Sequence, residues 1–267
     1  MIIMILVTGN KGFIGRNLQK RLETIGYKVY GLDAKDGDVF QQLINVPWDE
    51  IEEIYHQGAI SITTELNVDK IYNHNIKFSL DLFNMALASD IPVKYASSGS
   101  VYGNSEGKFL SPLNYYALSK MTVDLWVKDN MHKFRNIVGF RYFNVYGADE
   151  RKDDYATSPI YRFSEQSKKD GVIRIFSGSH KTYRDFVCVE DVVDVIIKDH
   201  PSGIWDLGTS NPISFLDVAE MVADKYNSTV KFIPFPDIIK GKYQYHTCAL
   251  PHCYHPYVTV EEWLRRN

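Results

Sequence analysis

Two side chains four residues apart, Tyr116 and Lys120, are the first candidates for chemistry in this sequence. Residues at this spacing lie on one face of a helix. A cation beside a phenol lowers the pKa of the phenol from about 10 toward the working pH, as a phenolic general base requires. Exposed helices often carry such a pair by chance, so the spacing alone does not indicate catalysis.

A serine-rich run, residues 97–100, gives the pair its context, because it directly follows the strand predicted at 93–96. Ligands of open α/β sheets bind at the carboxyl ends of the strands. A serine at this place can hydrogen-bond the substrate oxygen that Tyr116 deprotonates. The sequence therefore predicts Ser98, Tyr116 and Lys120 as a catalytic group.

Three glycines, Gly9, Gly12 and Gly15, lie between an apolar N-terminal run and a segment with helical spacing of apolar residues. In such a turn the first glycine allows the tight bend, the second lets the backbone approach a pyrophosphate, and the third lets the helix pack on the strand. The helix N–H groups, with Phe13 and Ile14 in the first turn, face the anion. A dinucleotide site is predicted here; the alternative is a glycine-rich loop without a ligand.

The preference for one dinucleotide depends on two residues after the second predicted strand. Asp33 follows Gly15 by 18 residues, where a carboxylate meets the adenosine ribose, and this favours NAD. Lys35 is close enough to contact a 2′-phosphate, which favours NADP. Asp33 as a simple turn residue is the remaining alternative.

The elements that position these residues follow from the alternation of apolar runs. Strands are predicted at 2–7, 28–32, 51–56, 93–96 and 137–141, with helices at 13–25, 76–88 and 116–131 between them. Repeated β-α units predict an α/β fold, a doubly wound parallel Rossmann sheet.

After Gly147 the regular alternation ends. The pattern predicts helices at 158–169, 192–197 and 215–226 and strands at 173–176, 204–207 and 230–233, with 204–207 at the sheet edge. We expect a dinucleotide-binding domain at 1–147 and 181–207, and a smaller, discontinuous substrate-binding lobe at 148–180 and 208–267.

Composition excludes several classes of protein. A hydrophobic content of 45% argues against disorder, and 30 basic against 33 acidic residues, without a block of like charge, argue against nucleic-acid and membrane partners. The apolar run at 1–7 has no basic flank and is too short to span a membrane. Three cysteines, Cys188, Cys248 and Cys253, are interpreted as reduced thiols of a cytoplasmic protein. The histidines and cysteines within 246–255 fit no zinc spacing, so no metal is expected.

Further motifs make most of the chain resemble the extended short-chain dehydrogenases that act on nucleotide-activated sugars. They comprise the three glycines, the Tyr116/Lys120 pair, Ser98 and the segments 56–59, 184–186 and 207–209. Segments 140–147 and 233–244 look most like those of the ADP-L-glycero-D-manno-heptose 6-epimerases. The resemblance implies a homo-oligomer and a role in the sugar metabolism of lipopolysaccharide.

The resemblance also implies residue roles. Tyr116 is the main acid/base, Lys120 its electrostatic partner and Ser98 the group that polarises the substrate. The residues implied in cofactor binding are Gln57, Gly58, Ala59 and Asn75. Those implied in holding the nucleotide-sugar are Ser100, Asn144, Arg184 and Tyr243.

Two positions depart from the family pattern. The pair after the second strand is Asp33-Ala34 instead of Asp-Asn, which bears on the NADP preference of the heptose epimerases. A second base is implied soon after Gly147, where ungapped matching gives Asp153 and the neighbouring Lys152 is the candidate. The alternative for Lys152 is a solvated charge run.

The expected activity is epimerisation through tightly bound NAD or NADP, with transient oxidation of the sugar and return of the hydride. The alternatives are a nucleotide-sugar 4-epimerase, a dehydratase, a reductase, or a cofactor-binding protein without catalysis. Dehydratases of this family need an acid just after the serine, and Gly99-Ser100 stands there. Intact Ser98, Tyr116 and Lys120 argue against a loss of catalysis.

Overall fold

The computed structural model describes residues 3–105, 107–150, 157–237, 241, 243–250 and 258–267. Contacts divide the chain into two compact units. Unit 1 comprises Met1–Ser98, Asn114–Arg141 and Val193–Trp205, and unit 2 comprises Gly99–Leu113, Tyr142–Val192 and Asp206–Asn267. The domain boundaries expected from the sequence stay a prediction.

The strands of the described residues are, in chain order, β1 (Met4–Thr8), β2 (Lys28–Leu32), β3 (Ile51–His56), β4 (Val93–Ser98), β5 (Ile137–Tyr142), β6 (Asn144–Tyr146), β7 (Val172–Phe176), β8 (Tyr183–Arg184), β9 (Phe186–Cys188), β10 (Gly203–Leu207), β11 (Ile213–Ser214) and β12 (Thr229–Ile233). The helices are α1 (Phe13–Thr24), α2 (Val39–Ile44), α3 (Val68–Ile71), α4 (Phe78–Ala88), α5 (Tyr115–Asn130), α6 (Pro159–Asp170), α7 (Val189–Ile196), α8 (Phe215–Tyr226) and α9 (Val260–Arg266).

The central sheet has six strands in the order β2-β1-β3-β4-β5-β10. The pairs β1/β2, β1/β3 and β3/β4 are parallel. The predicted doubly wound parallel sheet is therefore confirmed, with β10 at its edge as expected. Strands β2 and β3 lie on opposite sides of β1, so the direction of winding reverses between β1 and β3. Ligands of such sheets bind at this point, at the carboxyl ends of the strands.

Two element boundaries differ from the predicted ones in ways that matter for chemistry. Strand β4 continues two residues beyond 96, so Ser98 is the last strand residue. Helix α5 starts at Tyr115 because the Asn114 side chain caps it, accepting a hydrogen bond from the Ala117 N–H at 2.9 Å. Tyr116 thus lies in the first turn of its helix.

The helix expected at 76–88 is longer and contains a π turn. Residues Tyr72–Lys77 form this turn between α3 and α4, and the buried Asn75 lies in it. A π turn displaces the side chains that follow it relative to an α-helix and frequently occurs at functional sites. An apolar periodicity of 3.6 residues cannot predict such a turn, because the turn breaks that period.

Each unit has its own hydrophobic core. In unit 1 the continuously buried strands β1 and β4 pack against apolar faces of α4 and α5. In unit 2, residues of α6, α8 and α9 cover the parallel pair β7/β12. Unit 2 also contains the parallel pair β6/β9 and the antiparallel pair β8/β11. These two- and three-residue strands are too short for a sequence pattern to reveal.

Candidate active site

The glycine turn closes β1 against the start of α1. Gly9 has a φ of +67°, which favours glycine, and a Cβ there would lie 2.6 Å from the Gly58 backbone. A Cβ on Gly15 would lie 2.1 Å from the Gly9 carbonyl oxygen. These two glycines are therefore required by the close approach of backbone to backbone.

Gly12 differs from the other two glycines. It is the N-cap residue of α1, whose first amide groups have no side-chain partner among the described residues. A Cβ on Gly12 would meet the Gly9 carbonyl oxygen at 3.1 Å, a far looser contact than at the other two glycines. Among the described residues, no side chain caps the first amides of α1, and its first turn carries no acidic residue. Free N–H groups and the helix dipole at this end attract an anion. The turn thus fits the pyrophosphate of a dinucleotide, with Phe13 and Ile14 supplying amides.

Asp33, at the end of β2, is buried and oriented toward the same turn. Its carboxylate accepts hydrogen bonds from the backbone N–H groups of Lys11, at 3.0 Å, and Lys35, at 2.9 Å. The Lys35 side chain is exposed. Lys11, which the sequence analysis did not single out, forms an ion pair with Asp36 beside it. Its signal in the sequence is its place within the glycine turn.

A second loop follows β3, and its backbone N–H groups donate hydrogen bonds to Thr8 at the end of β1. The Gln57 N–H donates to the Thr8 carbonyl at 3.1 Å, and the Gly58 N–H donates to the Thr8 hydroxyl oxygen at 3.1 Å. Gln57, Gly58 and Ala59 thus lie at the reversal between β1 and β3, beside the glycine turn.

His56 connects this loop to the helix that carries Asn75, and its proton position follows from its partners. Ser79 donates its hydroxyl proton to the Asn75 carbonyl at 2.7 Å, so its oxygen accepts from His56 Nε2 at 2.8 Å. Nδ1 is then the acceptor for the Thr8 hydroxyl at 2.6 Å. Burial, and secondarily the Lys120 charge, lower the pKa of His56 to about 3. His56 is therefore a neutral structural link.

Asn75 makes its side-chain hydrogen bonds within the protein. Its Oδ1 accepts from the Ile60 N–H at 2.8 Å, and its Nδ2 donates to the Ile60 carbonyl and to the Ser119 hydroxyl oxygen, both at 3.0 Å. These bonds fix the end of the 57–59 loop against α5. The cofactor contact expected for Asn75 stays a prediction.

Ser98, Tyr116 and Lys120 are brought together in unit 1 by the end of β4 and the first turns of α5. The Ser98 hydroxyl hydrogen-bonds the Tyr116 phenol. Burial raises the pKa of Tyr116, and the bond with Ser98 opposes this rise. The spacing of Tyr116 and Lys120 predicts that Lys120 lowers this pKa, whereas Ser98 is the group in direct contact with the phenol.

Lys120 is buried, with its side chain directed toward β4. Its Nζ donates a hydrogen bond to the Ala96 carbonyl at 2.7 Å. Burial lowers the pKa of Lys120 to about 8, and the nearby Asp124 opposes this effect. Lys120 is therefore still mostly an ammonium ion at neutral pH.

The residues expected to hold substrate lie in unit 2, where Arg184 is the central side chain. Its guanidinium lies between the rings of Phe215 and Tyr243, 5.3 and 5.2 Å from their centroids. It donates hydrogen bonds to the carbonyls of Tyr183 and Gln244. Burial lowers the pKa of Arg184 only from an already high value, so the group is a fixed cation.

The other residues expected to bind substrate lie in different parts of unit 2. Asn144 begins β6 and donates its backbone N–H to the Asp185 carbonyl at 2.9 Å. Ser100 lies in the 3-10 turn Gly99–Tyr102. Lys152, the predicted second base, lies outside the described residues, as does Asp153.

Asp185 is a structural residue that the sequence analysis named only as part of a motif. Its fully buried carboxylate accepts from the N–H and hydroxyl of Thr209, both at 2.6 Å, the N–H of Ser210 at 2.8 Å and the N–H of Ala249 at 2.9 Å. It thereby joins the β8–β9 region to two distant segments. Nothing in its local sequence shows these partners.

The described residues contain no group of three or more His, Cys, Asp or Glu side chains that could hold a metal ion. None of their helices is both long and apolar enough to cross a membrane. His252, Cys253 and His255 of the histidine- and cysteine-rich segment lie outside these residues.

A parallel sheet with an open helix N-terminus at its winding reversal, and with a serine, a tyrosine and a lysine at the end of β4 and in the first turns of α5, is typical of dinucleotide-dependent enzymes of the short-chain dehydrogenase type. Residues 5–202, more than half of the chain, match the NAD-dependent epimerase/dehydratase family. The protein belongs to that family and is an NAD-dependent enzyme.

Solved structures with the same fold include several enzymes of sugar metabolism. ADP-L-glycero-D-manno-heptose-6-epimerase of Helicobacter pylori is 27% identical, with a TM-score of 0.85 over 99% of this chain and 94% of that one. UDP-glucose 4-epimerase of Thermus thermophilus, in complex with NAD, is 21% identical (TM-score 0.80; 98% and 96%). An NAD-dependent NDP-hexosamine 5,6-dehydratase of tunicamycin biosynthesis is also 21% identical (TM-score 0.80; 98% and 95%).

Proposed function

We propose that this enzyme epimerises a nucleotide-activated sugar, and that an ADP-glycero-manno-heptose is the first substrate to test. The observation that carries the proposal is the Ser98–Tyr116 hydrogen bond in the same unit as the open amides of α1. The heptose assignment is supported by the 27% identity to the Helicobacter pylori enzyme over nearly the whole chain.

The residues of unit 1 supply proton transfer and charge. The glycine turn and Asp33 would hold the dinucleotide, and its nicotinamide would supply the acceptor and then the donor of the hydride. Tyr116 takes the proton of the sugar hydroxyl as the C–H bond is lost and returns it when the carbonyl is reduced again, so no net oxidation results. Ser98 holds the reacting oxygen, and the Lys120 ammonium favours the phenolate form of Tyr116.

The cofactor that we propose for this chain is NAD. Asp33 places a buried carboxylate at the end of β2, held by two backbone N–H groups. Such a carboxylate accepts hydrogen bonds from ribose hydroxyls and repels a 2′-phosphate. Because the hydride must return, the cofactor stays bound between the half-reactions; mass spectrometry of the supernatant of denatured protein identifies it.

The nucleotide-sugar is assigned to residues of unit 2. Arg184 offers a fixed positive charge for a diphosphate, and the stacked ring of Tyr243 keeps that charge in place. Asn144 and Ser100 offer polar groups for the sugar. Substitution of Arg184 by Met is expected to raise KM for the nucleotide-sugar far more than it lowers the affinity for NAD.

Lys152 is proposed as the second acid/base. A keto intermediate that presents both faces brings its oxygen to two places, and Tyr116 serves only one of them. Lys152→Met is therefore expected to slow turnover of one epimer more than that of the other. Single-turnover assays started from each epimer measure this. Equal, negligible effects would show that Lys152 is a residue of a solvated charged segment and not a second base.

A substrate panel tests the proposed function. Purified enzyme is incubated with ADP-, UDP- and GDP-sugars, the ADP-heptose epimers among them, and the products are analysed by NMR. We expect the wild-type enzyme to invert the stereochemistry at one carbon with no change in mass. Tyr116→Phe should give no inversion. Loss of water from the sugar would instead establish a dehydratase, although Gly99-Ser100 supplies no acid after Ser98. Light scattering on the same samples tests the expected homo-oligomer.

A further inference from the structure

A buried carboxylate lies one helical turn beyond Lys120. Asp124 is 2% exposed and follows Lys120 by four residues on α5, on the same face as Tyr116. The Tyr95 hydroxyl donates to its Oδ1 at 3.0 Å, and the Arg141 Nε donates to its Oδ2 at 2.8 Å. Two strands, β4 and β5, thus fix the position of this carboxylate.

Replacing a buried ion pair by apolar residues is often neutral or stabilising, so the pair is weak support for a purely structural role. The described groups that face Lys120 show what the negative charge can do there. From β4 it meets the Ala96 carbonyl, and from β3 it meets the neutral His56. On its own helix, Tyr116 lies one turn before Lys120, and Asp124, whose charge acts on Lys120, lies one turn after it. Asp124 is the one anion among these described groups.

We propose that Asp124 is a positioning residue that keeps Lys120 in its ammonium form beside Tyr116, with Tyr95 and Arg141 setting how much of its negative charge Lys120 feels. The proposal rests on the role of Lys120 in the proposed function. Burial lowers the pKa of Lys120 to about 8, close to working pH, so a modest change in its surroundings alters how much of it is charged.

The arrangement predicts opposite effects for the two members of the ion pair. Asp124→Asn removes the anion and keeps the positive charge of Arg141, so the pKa of Lys120 falls. Arg141→Gln removes the cation that neutralises Asp124, so the pKa of Lys120 rises. A role in packing alone would predict no such opposition, because both variants would disturb the same contacts. We expect shifts of about one pH unit in each direction.

The test measures Lys120 directly and does not need the reaction. Protein labelled with ¹³C at the lysine ε-carbons, without added substrate, is titrated by NMR, and the Lys120 signal is assigned by its absence in Lys120→Met. Asp129→Asn is the matched control, because Asp129 is an exposed aspartate on the same helix. The wild-type chain, both ion-pair variants and the control are compared.

The expected result is a lower Lys120 pKa in Asp124→Asn, a higher one in Arg141→Gln and no change in Asp129→Asn. Equal pKa values in a folded Asp124→Asn and in the control overturn the proposal. Should the ion-pair variants fail to fold, Tyr95→Phe keeps the ion pair and removes one donor to Asp124; an unchanged Lys120 pKa there also overturns it.

Enzyme kinetics separate this proposal from the proposed function. Where the substrate panel gives turnover, the alkaline limb of kcat should move to lower pH in Asp124→Asn and to higher pH in Arg141→Gln, as the Lys120 pKa does. A Lys120 pKa that shifts as expected, together with an alkaline limb that does not, refutes the role of Lys120 in turnover and leaves its coupling to Asp124 intact.

Discussion

The two units hold their polar groups in different ways. In unit 1 the groups stand where regular strands end, and the alternation of strands and helices brings Thr8, Gly58 and Ser98 to the same edge of the sheet. In unit 2 the central carboxylate, Asp185, collects donors from residues 24, 25 and 64 positions away, across turns and two-residue strands. Regular topology makes the first site predictable, whereas the second depends on irregular segments that meet only in the folded chain.

The contrast between the two units requires first that unit 1 carries the chemistry. Tyr116→Phe is expected to lower kcat by about 10²–10⁴-fold, because it removes the group that moves the proton. NAD affinity and the circular dichroism spectrum should stay as in the wild type. Tyr115→Phe, which changes the exposed neighbour on the same helix, is the control. A near-normal rate in Tyr116→Phe would remove this residue from the mechanism.

The glycine turn separates cofactor binding from folding within unit 1. Gly12→Val is expected to abolish NAD binding measured by calorimetry, because its side chain would occupy the open end of α1, while the fold stays intact. Gly15→Val should instead prevent folding, since its Cβ would lie 2.1 Å from the Gly9 carbonyl oxygen. Tight NAD binding by Gly12→Val would show that the pyrophosphate lies elsewhere.

Unit 2 should depend on its buried carboxylate for stability. Asp185→Ala removes the acceptor of three backbone N–H groups, of which that of Ala249 is buried and those of Thr209 and Ser210 are partly buried. A buried group left unsatisfied costs about 1–3 kcal/mol. The free energy of unfolding in urea should therefore fall by at least this amount. The exposed Asp224 gives the control variant, Asp224→Ala. Equal stability of the two variants would contradict the interpretation of Asp185 as the link in unit 2.

Because His56 is neutral in the folded protein, the free energy of unfolding should depend on pH. The pKa of His56 is about 3 in the folded protein and 6.5 in the unfolded one. Between these values the unfolded chain binds the extra proton, so stability falls with acidification, by about 1.4 kcal/mol per pH unit. From pH 7 to 5 this is about 2 kcal/mol.

The check is urea unfolding of the wild type and His56→Gln at pH 7 and 5, with the exposed His132→Gln as control. The loss of stability on acidification should shrink in His56→Gln and persist in His132→Gln. The same acid sensitivity in all three proteins would place the effect on other groups.

The smallest effect is expected at Lys35. Its side chain is exposed, and surface charges contribute about 0–1 kcal/mol. Lys35→Met should change NAD affinity by less than about twofold and lower the affinity for NADP more, as measured by calorimetry with both cofactors. A large loss of NAD affinity would show that Lys35 takes part in binding the adenosine.

Much of unit 1 was predictable because its signals are local. Apolar runs predicted β2 and β3 with their bounds, and the glycine spacing predicted a turn between β1 and α1. The π turn at 72–77 was missed because it interrupts the helical period. The partners of Asn75 and His56 were missed as well, since a single sequence shows which groups are polar and not which of them meet.

The sequence by itself determined the winding of the sheet, the place of the glycine turn and the spacing of Tyr116 and Lys120, because each is a repeat or a distance along the chain. Only the tertiary structure decided that Ser98 contacts Tyr116, that Asp124 lies between Tyr95 and Arg141, and that Asp185 joins three segments. The physical reason is that burial and hydrogen bonding depend on neighbours in space. The same side chain has a different charge and pKa in water and in a packed interior.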